Sequence, residues 1–303
     1  GHNEFTVGGI LNAPLESGKA GEVTLALLLF LFVLGTGKAA VMPVHRWLPA
    51  ALVAPTPVRA LLHAVAVVKA GVFTILKVVV YVFGLDVMST LDLGTPLAAL
   101  AGFTIVAASV IALSKDNLKE RLAWSTIGQL SYIVLGALVA TPFAVQGAGL
   151  HIAMHAFGKI TLFFGAGAIL VAAHKTEVSQ LDGIGRRMPV TMGCFFVGAM
   201  SITGLPPMAG AWSKVLLARG CMDAGQWILL CCLLVSSLLN VVYLLSIPVR
   251  AFFRPEATAP DGHGDAHHNH GEAPVTMRIA MVATASASVL LFLDPAPFHD
   301  LVR

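Results

Sequence analysis

The sequence predicts an all-α polytopic membrane protein of about eight transmembrane helices, and three observations carry this. Of 303 residues, 57% are hydrophobic and only 12% charged, with a mean hydropathy of +0.83, roughly half the charged share of an average soluble domain. Apolar runs long enough to cross a bilayer recur along the whole chain. Basic residues fall on alternate sides of those runs. Ala, Gly and Ser are scattered on all faces, which excludes the short alternating strands of a β-barrel.

Each element follows from its boundaries. Residues 1–21 contain Glu4, Glu16 and Lys19 and lack an apolar core, so they are an extracytoplasmic segment and no signal peptide. A chain without an initiator Met that meets its first span near Val23 reads as the downstream part of something longer, a fragment or a split gene product. The predicted spans are 22–41, 58–83, 93–113, 122–140, 144–172, 189–217, 226–249 and 276–294, each bounded by charges, Gly or Pro. The loops after the odd-numbered spans hold Arg46, Arg59, Lys115, Lys119, Arg121, Lys175, Arg186, Arg187, Arg250, Arg254 and Arg278. The other side holds only Lys19, Arg219 and Arg303. The positive-inside rule therefore places those eleven in the cytoplasm and both termini outside.

Composition also excludes functions. A formal charge of +3 gives no case for nucleic acid. Cys194, Cys221, Cys231 and Cys232 form neither a CxxC pair nor a secreted disulfide frame. There is no GxGxxG, P-loop or iron–sulfur cysteine array, so no redox cofactor is expected. Glu256 to Pro274 is a Gly/Pro-rich cytoplasmic loop with His263, His267, His268 and His270. It reads as a solvated tract, with metal capture or pH sensing as the alternative.

The remaining five lysines, Lys38, Lys69, Lys77, Lys159 and Lys214, lie inside apolar spans, where no Asp or Glu clearly lies. An intramembrane lysine costs on the order of 3 kcal/mol on insertion scales and marks a bundle interior or a water-filled path. Desolvation disfavours the charged form of an amine and neighbouring cations disfavour it further, so clustered buried amines are suited to proton exchange. Lys77, beside Tyr81, also fits an amine that snorkels to the interface.

Histidines extend the pattern. His151, His155 and Lys159 recur every fourth residue and line one helical face, which reads as a proton relay. The alternative is zinc, but the HIAMH run lacks the HExxH glutamate, so no metal is expected. His63 and Lys69 share a site only if their helix is irregular or both its neighbours are polar. In the sixth span Gly204, Pro206 and Pro207 break the helix before Lys214, and half-helix ends at membrane depth set the electrostatics of an ion site. Runs such as Gly147-Ala148-Gly149-Leu150 favour close helix packing within the chain or against partner subunits.

These residues resemble a known family. Gly37-Lys38-Ala39-Ala40-Val41-Met42-Pro43-Val44-His45-Arg46-Trp47-Leu48-Pro49-Ala50, then Ala54 to Val58 and Ala60 to Ala64, resemble the core signature of the antiporter-like subunits. Mrp-type multisubunit sodium/proton antiporters, respiratory complex I and membrane-bound hydrogenases share these subunits. Asp116 to Leu130, His151 to Lys159, and Gly204 to Pro207 through Trp212-Ser213-Lys214 match in order and at long range. Ala60 to Lys69 and Phe253-Arg254-Pro255 look most like the D subunit of Mrp-type antiporters.

The resemblance implies a fourteen-helix fold with two inverted five-helix repeats, each with a broken helix, of which this chain is the C-terminal part. Residues 22–83 would be a two-helix remnant of the first half-channel and 93–249 the complete second repeat, broken near 203–207. Residues 250–275 would be a His-rich cytoplasmic loop and 276–303 the last helix and tail. Lys38 would match the lysine of the first broken helix, paired in the family with a glutamate on an earlier helix. Lys69 would be the bridging lysine, His151, His155 and Lys159 the central relay, and Lys214 the terminal lysine. The implied function is proton translocation in a cation (Na+)/proton antiporter of the bacterial cytoplasmic membrane, with other membrane subunits as partners. The alternatives are a proton-pumping subunit of an NADH:quinone oxidoreductase or hydrogenase, and a non-conducting structural subunit.

Overall fold

The fold is taken from a computed structural model and described over residues 9–11, 21–51, 66–255 and 271–296. Among the described residues there is no strand, only an isolated bridge between Asn117 and Glu177. Apolar helix α1 (Glu22–Gly35) stops where the Thr36 hydroxyl donates to the Phe32 carbonyl at 2.8 Å. A 3-10 turn, Gly37–Ala39, follows, and Trp47 Nε1 of the single-turn α2 (Trp47–Ala50) donates back to the Gly37 carbonyl at 2.8 Å. Helix α3 (Val67–Lys77) runs on as a π-helical stretch, Val78–Phe83, and ends at Gly84, with short α4 (Leu85–Thr90) behind it.

Three long helices form the centre: α5 (Thr95–Ser114), α6 (Leu118–Val139) and α7 (Pro142–Ala173). Their connections are only two or three residues long, so neighbours pack antiparallel. Helix α6 starts where the Asn117 side chain accepts from the backbone N–H groups of Lys119 and Glu120, at 3.1 and 3.2 Å. Helix α7 starts at the Thr141 cap followed by Pro142, a residue suited to a first turn. Then come α8 (Pro189–Thr203), α9 (Gly210–Asp223) and α10 (Trp227–Asn240). A π-helical stretch, Val241–Leu245, leads into α11 (Ser246–Phe253), and α12 (Val275–Leu293) is last.

By length and composition α5, α6, α7, the run Trp227–Phe253 and α12 can each cross a membrane, and α1 and α8 are shorter apolar helices. The first predicted span is helical only to Gly35, because Thr36 and the glycines divert it. The sixth is split into α8 and α9, and residues 58–65 of the second lie outside the described residues. Helix α7 packs against α3, α6, α8, α9 and α12, which makes it the hub. Helix α6 is 89% buried along its spanning window and α12 only 17%, so one is central and the other peripheral. Trp124 on α6 packs against both main apolar clusters, one around Ile105 and Ile133, the other around Phe163 and Phe195. The turn into α9 passes so near α8 that a Cβ on Gly210 would sit 1.8 Å from the Ser201 carbonyl oxygen; only glycine fits there.

Candidate functional site

The α6–α7 hairpin faces two polar stripes toward each other. On α7, His151, His155 and Lys159 are all buried, at 1%, 1% and 0% exposure. Gln129 and Ser125 on α6 are buried too. Because the helices run in opposite directions, His151 meets Gln129 (Nε2 to Oε1, 3.0 Å), and Lys159 meets Ser125 and the Leu122 carbonyl, the latter at 3.0 Å.

The site is assembled from four further elements. Lys69 comes in from α3, with its Nζ 2.6 Å from His155 Nδ1. The His155 and His151 rings follow each other at 5.7 Å between centroids. His151 stacks on Tyr132 of α6 at 5.7 Å and 18°. The Lys214 ammonium of α9 lies over the Tyr132 ring, 5.0 Å from its centroid, a cation–π contact. Lys214 is half-buried and donates to the Thr203 carbonyl at 3.0 Å and to Ser237 Oγ of α10 at 3.2 Å. The Tyr132 hydroxyl donates to the Leu233 carbonyl at 3.0 Å and lies 3.3 Å from Ser237 Oγ.

His151 has an environment suited to both of its protonation states. Its Nδ1 lies 2.8 Å from Ser213 Oγ, and the same hydroxyl reaches the Gly210 carbonyl at 3.1 Å. With a neutral ring, Nε2–H donates to Gln129 and the Ser213 hydroxyl donates to Nδ1. With a protonated ring, Nδ1–H donates to Ser213 Oγ, whose own hydrogen turns to Gly210. One hydroxyl rotation therefore accommodates a gained or lost proton with no buried polar atom stranded.

Lys159 heads a second branch toward the end of the bundle that carries the basic loops. Beyond Ser125 lies the phenol of Tyr243, which donates to Asn240 Oδ1. The π-helical register there places the Tyr243 carbonyl where Arg121 Nη1 donates to it at 3.2 Å, in keeping with the use of π-bulges to re-aim backbone groups. Between the branches, His155 Nε2, Ser201 Oγ and Asn240 Nδ2 are buried with no hydrogen-bond partner among the described residues. Water ordinarily satisfies such atoms.

The other sequence-selected residues fall as follows. Gly204 ends α8 in the left-handed region (φ 82), Pro206 and Pro207 carry the chain across the gap, and α9 restarts at Gly210. A Cβ on Gly204 would stand 2.5 Å from Lys214 Cδ, so the break and the lysine are packed together. Lys38 lies apart from the other lysines of the site. It sits past the end of α1 on the 3-10 turn, is exposed in this chain, and does not join the buried line. Lys77 is exposed between the Phe73 and Tyr81 rings, at 5.5 and 5.9 Å, the arrangement of the snorkelling alternative. His63 and the four histidines of the 256–270 stretch lie outside the described residues. Among the described residues no group of three His, Cys, Asp or Glu is gathered as for a metal.

Sequence reasoning missed Arg121, Ser125, Gln129 and Tyr132, although they carry the same signal as the α7 stripe. Their spacing of four, four and three puts them on one helical face. Being mostly neutral, they do not stand out as lysines do. Ser213, Ser237 and Asn240 carry no comparable signal, since serine is common in membrane helices.

A multi-pass helical bundle whose interior holds amines and imidazoles, without a carboxylate among the described buried residues, defines a class of membrane protein concerned with ions. The chain belongs to the family described as NADH:quinone oxidoreductase/Mrp antiporter, TM, whose model matches residues 3–240. It is 35% identical over 282 residues to the NADH-quinone oxidoreductase subunit N of Desulforudis audaxviator, covering 89% of this chain and 55% of that protein. To subunit L of the same enzyme from Mycobacterium tuberculosis it is 32% identical over 281 residues, covering 89% and 42%. The chain thus spans about half the length of these curated relatives. Its fold matches a chain of the Mrp complex from Dietzia sp. DQ12-45-1b with a TM-score of 0.81 at 23% identity, over 99% of this chain and 61% of that one. A chain of respiratory complex I from Thermus thermophilus matches with a TM-score of 0.70 at 28% identity, over 91% and 58%. These structural neighbours are multisubunit membrane complexes.

Proposed function

We propose that this chain is a proton-translocating membrane subunit of a multisubunit monovalent cation (Na+)/proton antiporter in a bacterial cytoplasmic membrane. The observation that carries the reading is the series of buried Lys69, His155, His151 and Tyr132 and half-buried Lys214, in which each member touches the next. Protons pass among Lys69, His155 and His151, reach Lys214 by way of Ser213, Ser237 and water, and reach Lys159 through water at the unpartnered atoms of His155 and Ser201. Residues 93–249 supply the complete half-channel and residues 22–83 part of another. Lys38, exposed on the face of that partial unit, takes a carboxylate partner from outside the described residues. Orientation with the arginine-rich loops in the cytoplasm follows the basic-residue asymmetry.

The second reading, a proton-pumping subunit of an NADH:quinone oxidoreductase, is favoured by the names of the relatives. One experiment separates the two. In everted vesicles an antiporter subunit gives sodium-dependent proton flux with no electron donor, and no iron–sulfur subunits copurify. Flux only on NADH oxidation, with such subunits copurifying, selects the second. No proton flux under either condition rejects both in favour of a structural subunit.

A further inference from the structure

A groove of about 300 Å3 runs between α8 and α12 on the outside of the bundle, away from the buried lysines. Its walls are mostly apolar: Val190, Cys194 and Val197 on α8, and Val282, Ala285 and Val289 on α12, with Ser286 the one hydroxyl among the lining residues. The two helices start side by side, because the Glu272 carboxylate, just before α12, accepts from the Val190 N–H at 2.5 Å and the Thr191 hydroxyl at 2.8 Å. The groove therefore runs inward from one common end.

Two features of the groove are unexplained by the chain itself. Gly193 lies inside α8, where glycine weakens a helix, yet a Cβ placed on it would meet nothing within 4 Å. The glycine keeps the groove wide where nothing in this chain enters it. One turn before Val282 comes Arg278, on the same α12 stripe as Val282, Ala285 and Val289. Its Nε is buried and has no hydrogen-bond partner among the described residues. Exposed Arg186 lies three residues before Pro189, which lines this end of the groove. The nearby Glu272 carboxylate is engaged in capping α8.

We propose that this groove binds an anionic diacyl phospholipid, with one acyl chain along Gly193 and the phosphodiester at Arg278. On α12 the groove wall runs from Val282 to Val289, a rise of roughly 10 Å of helix, room for the upper part of one acyl chain. A planar guanidinium with an unpartnered N–H suits a phosphodiester better than a zwitterionic headgroup with its own cation.

The test is native mass spectrometry of the purified complex with equal dioleoyl-phosphatidylglycerol and dioleoyl-phosphatidylcholine. Phosphatidylglycerol should be retained preferentially, and Arg278→Gln should lower its retention roughly fivefold, the effect of one basic contact at an anionic lipid surface. Gly193→Leu should expel both lipids, whereas Gly193→Ala should leave retention unchanged. As a readout on the native sequence, alkylation of the groove-wall Cys194, followed by peptide mass, should slow with phosphatidylglycerol and not with phosphatidylcholine or inorganic phosphate. Equal retention of the two lipids overturns the proposal, as does retention indifferent to Gly193→Leu. Loss of a protein subunit from the Gly193→Leu complex, with lipid unchanged, assigns the groove to that subunit instead.

Discussion

Lys69 Nζ and His155 Nδ1 lie 2.6 Å apart although 86 residues separate them in the chain. Between an amine and an imidazole at that distance one proton is shared: an ammonium donates to a neutral ring, or a ring N–H donates to a neutral amine. The contact ties α3 to α7, the hub of the bundle, so both positions read one protonation state.

Lys69→Ala and His155→Ala should therefore each lower proton flux by about 10²-fold, the usual worth of a positioned proton-transfer group. Because the two act as one unit, the double variant should be no slower than either single one. Flux measured in proteoliposomes holding the whole complex checks this, and multiplied losses would show that the residues serve separate steps.

Ser213→Ala should leave His151 Nδ1 without its partner and remove the hydroxyl that turns toward Gly210. Flux should fall about tenfold or more while thermal stability changes little, and Ser213→Thr should restore most of the rate. Equal rates in Ser213→Ala and the parent would remove the hydroxyl rotation from the pathway.

Lys214→Ala should abolish transport and leave assembly intact, since the losses are confined to the Thr203 carbonyl, Ser237, the Tyr132 ring and the packing on Gly204. Gly204→Ala acts on the same lysine from the backbone side. It places a side chain at φ 82 and 2.5 Å from Lys214 Cδ, which should destabilise by about 1–3 kcal/mol. Sodium-driven pH recovery read alongside complex content separates the two effects, and normal recovery in Lys214→Ala would remove Lys214 from the path.

Asp182, in the loop before α8, binds Arg250 at 2.7 and 3.1 Å. These hydrogen bonds hold its carboxyl below its ordinary value of 3.8. A depressed carboxylate contributes stability that is fully present above the unfolded value and is lost as pH falls through the folded one. Asp182→Asn should thus cost about 1–2 kcal/mol near neutral pH and nothing well below pH 3.8. Thermal melts of the two proteins across that range should converge at the acid end.

Much of this architecture is legible in the residues. Long apolar runs and alternating arginines reveal the helices because a bilayer leaves backbone few other options. The spacing of His151, His155 and Lys159 reveals their common face. Lys69 meeting His155 is not legible, since it depends on how α3 packs against α7. The exposure of Lys38 is hidden for a related reason: apolarity continues past Gly35 while the helix does not. The neutral partners Gln129, Ser213 and Tyr132 escape notice because each is ordinary by itself and gains meaning only opposite an imidazole.

Helix α6 has almost no surface left for lipid, and it carries Arg121, Ser125, Thr126, Gln129 and Ser131 among its buried residues. Released alone into a bilayer during synthesis, it would present those groups to hydrocarbon on every side. The ribosome-bound chain must therefore hold α6 near the insertion machinery until α5 and α7 flank it. Biogenesis of the central hairpin is then a concerted event, and a lesion in α7 would appear first as failed insertion of its predecessor.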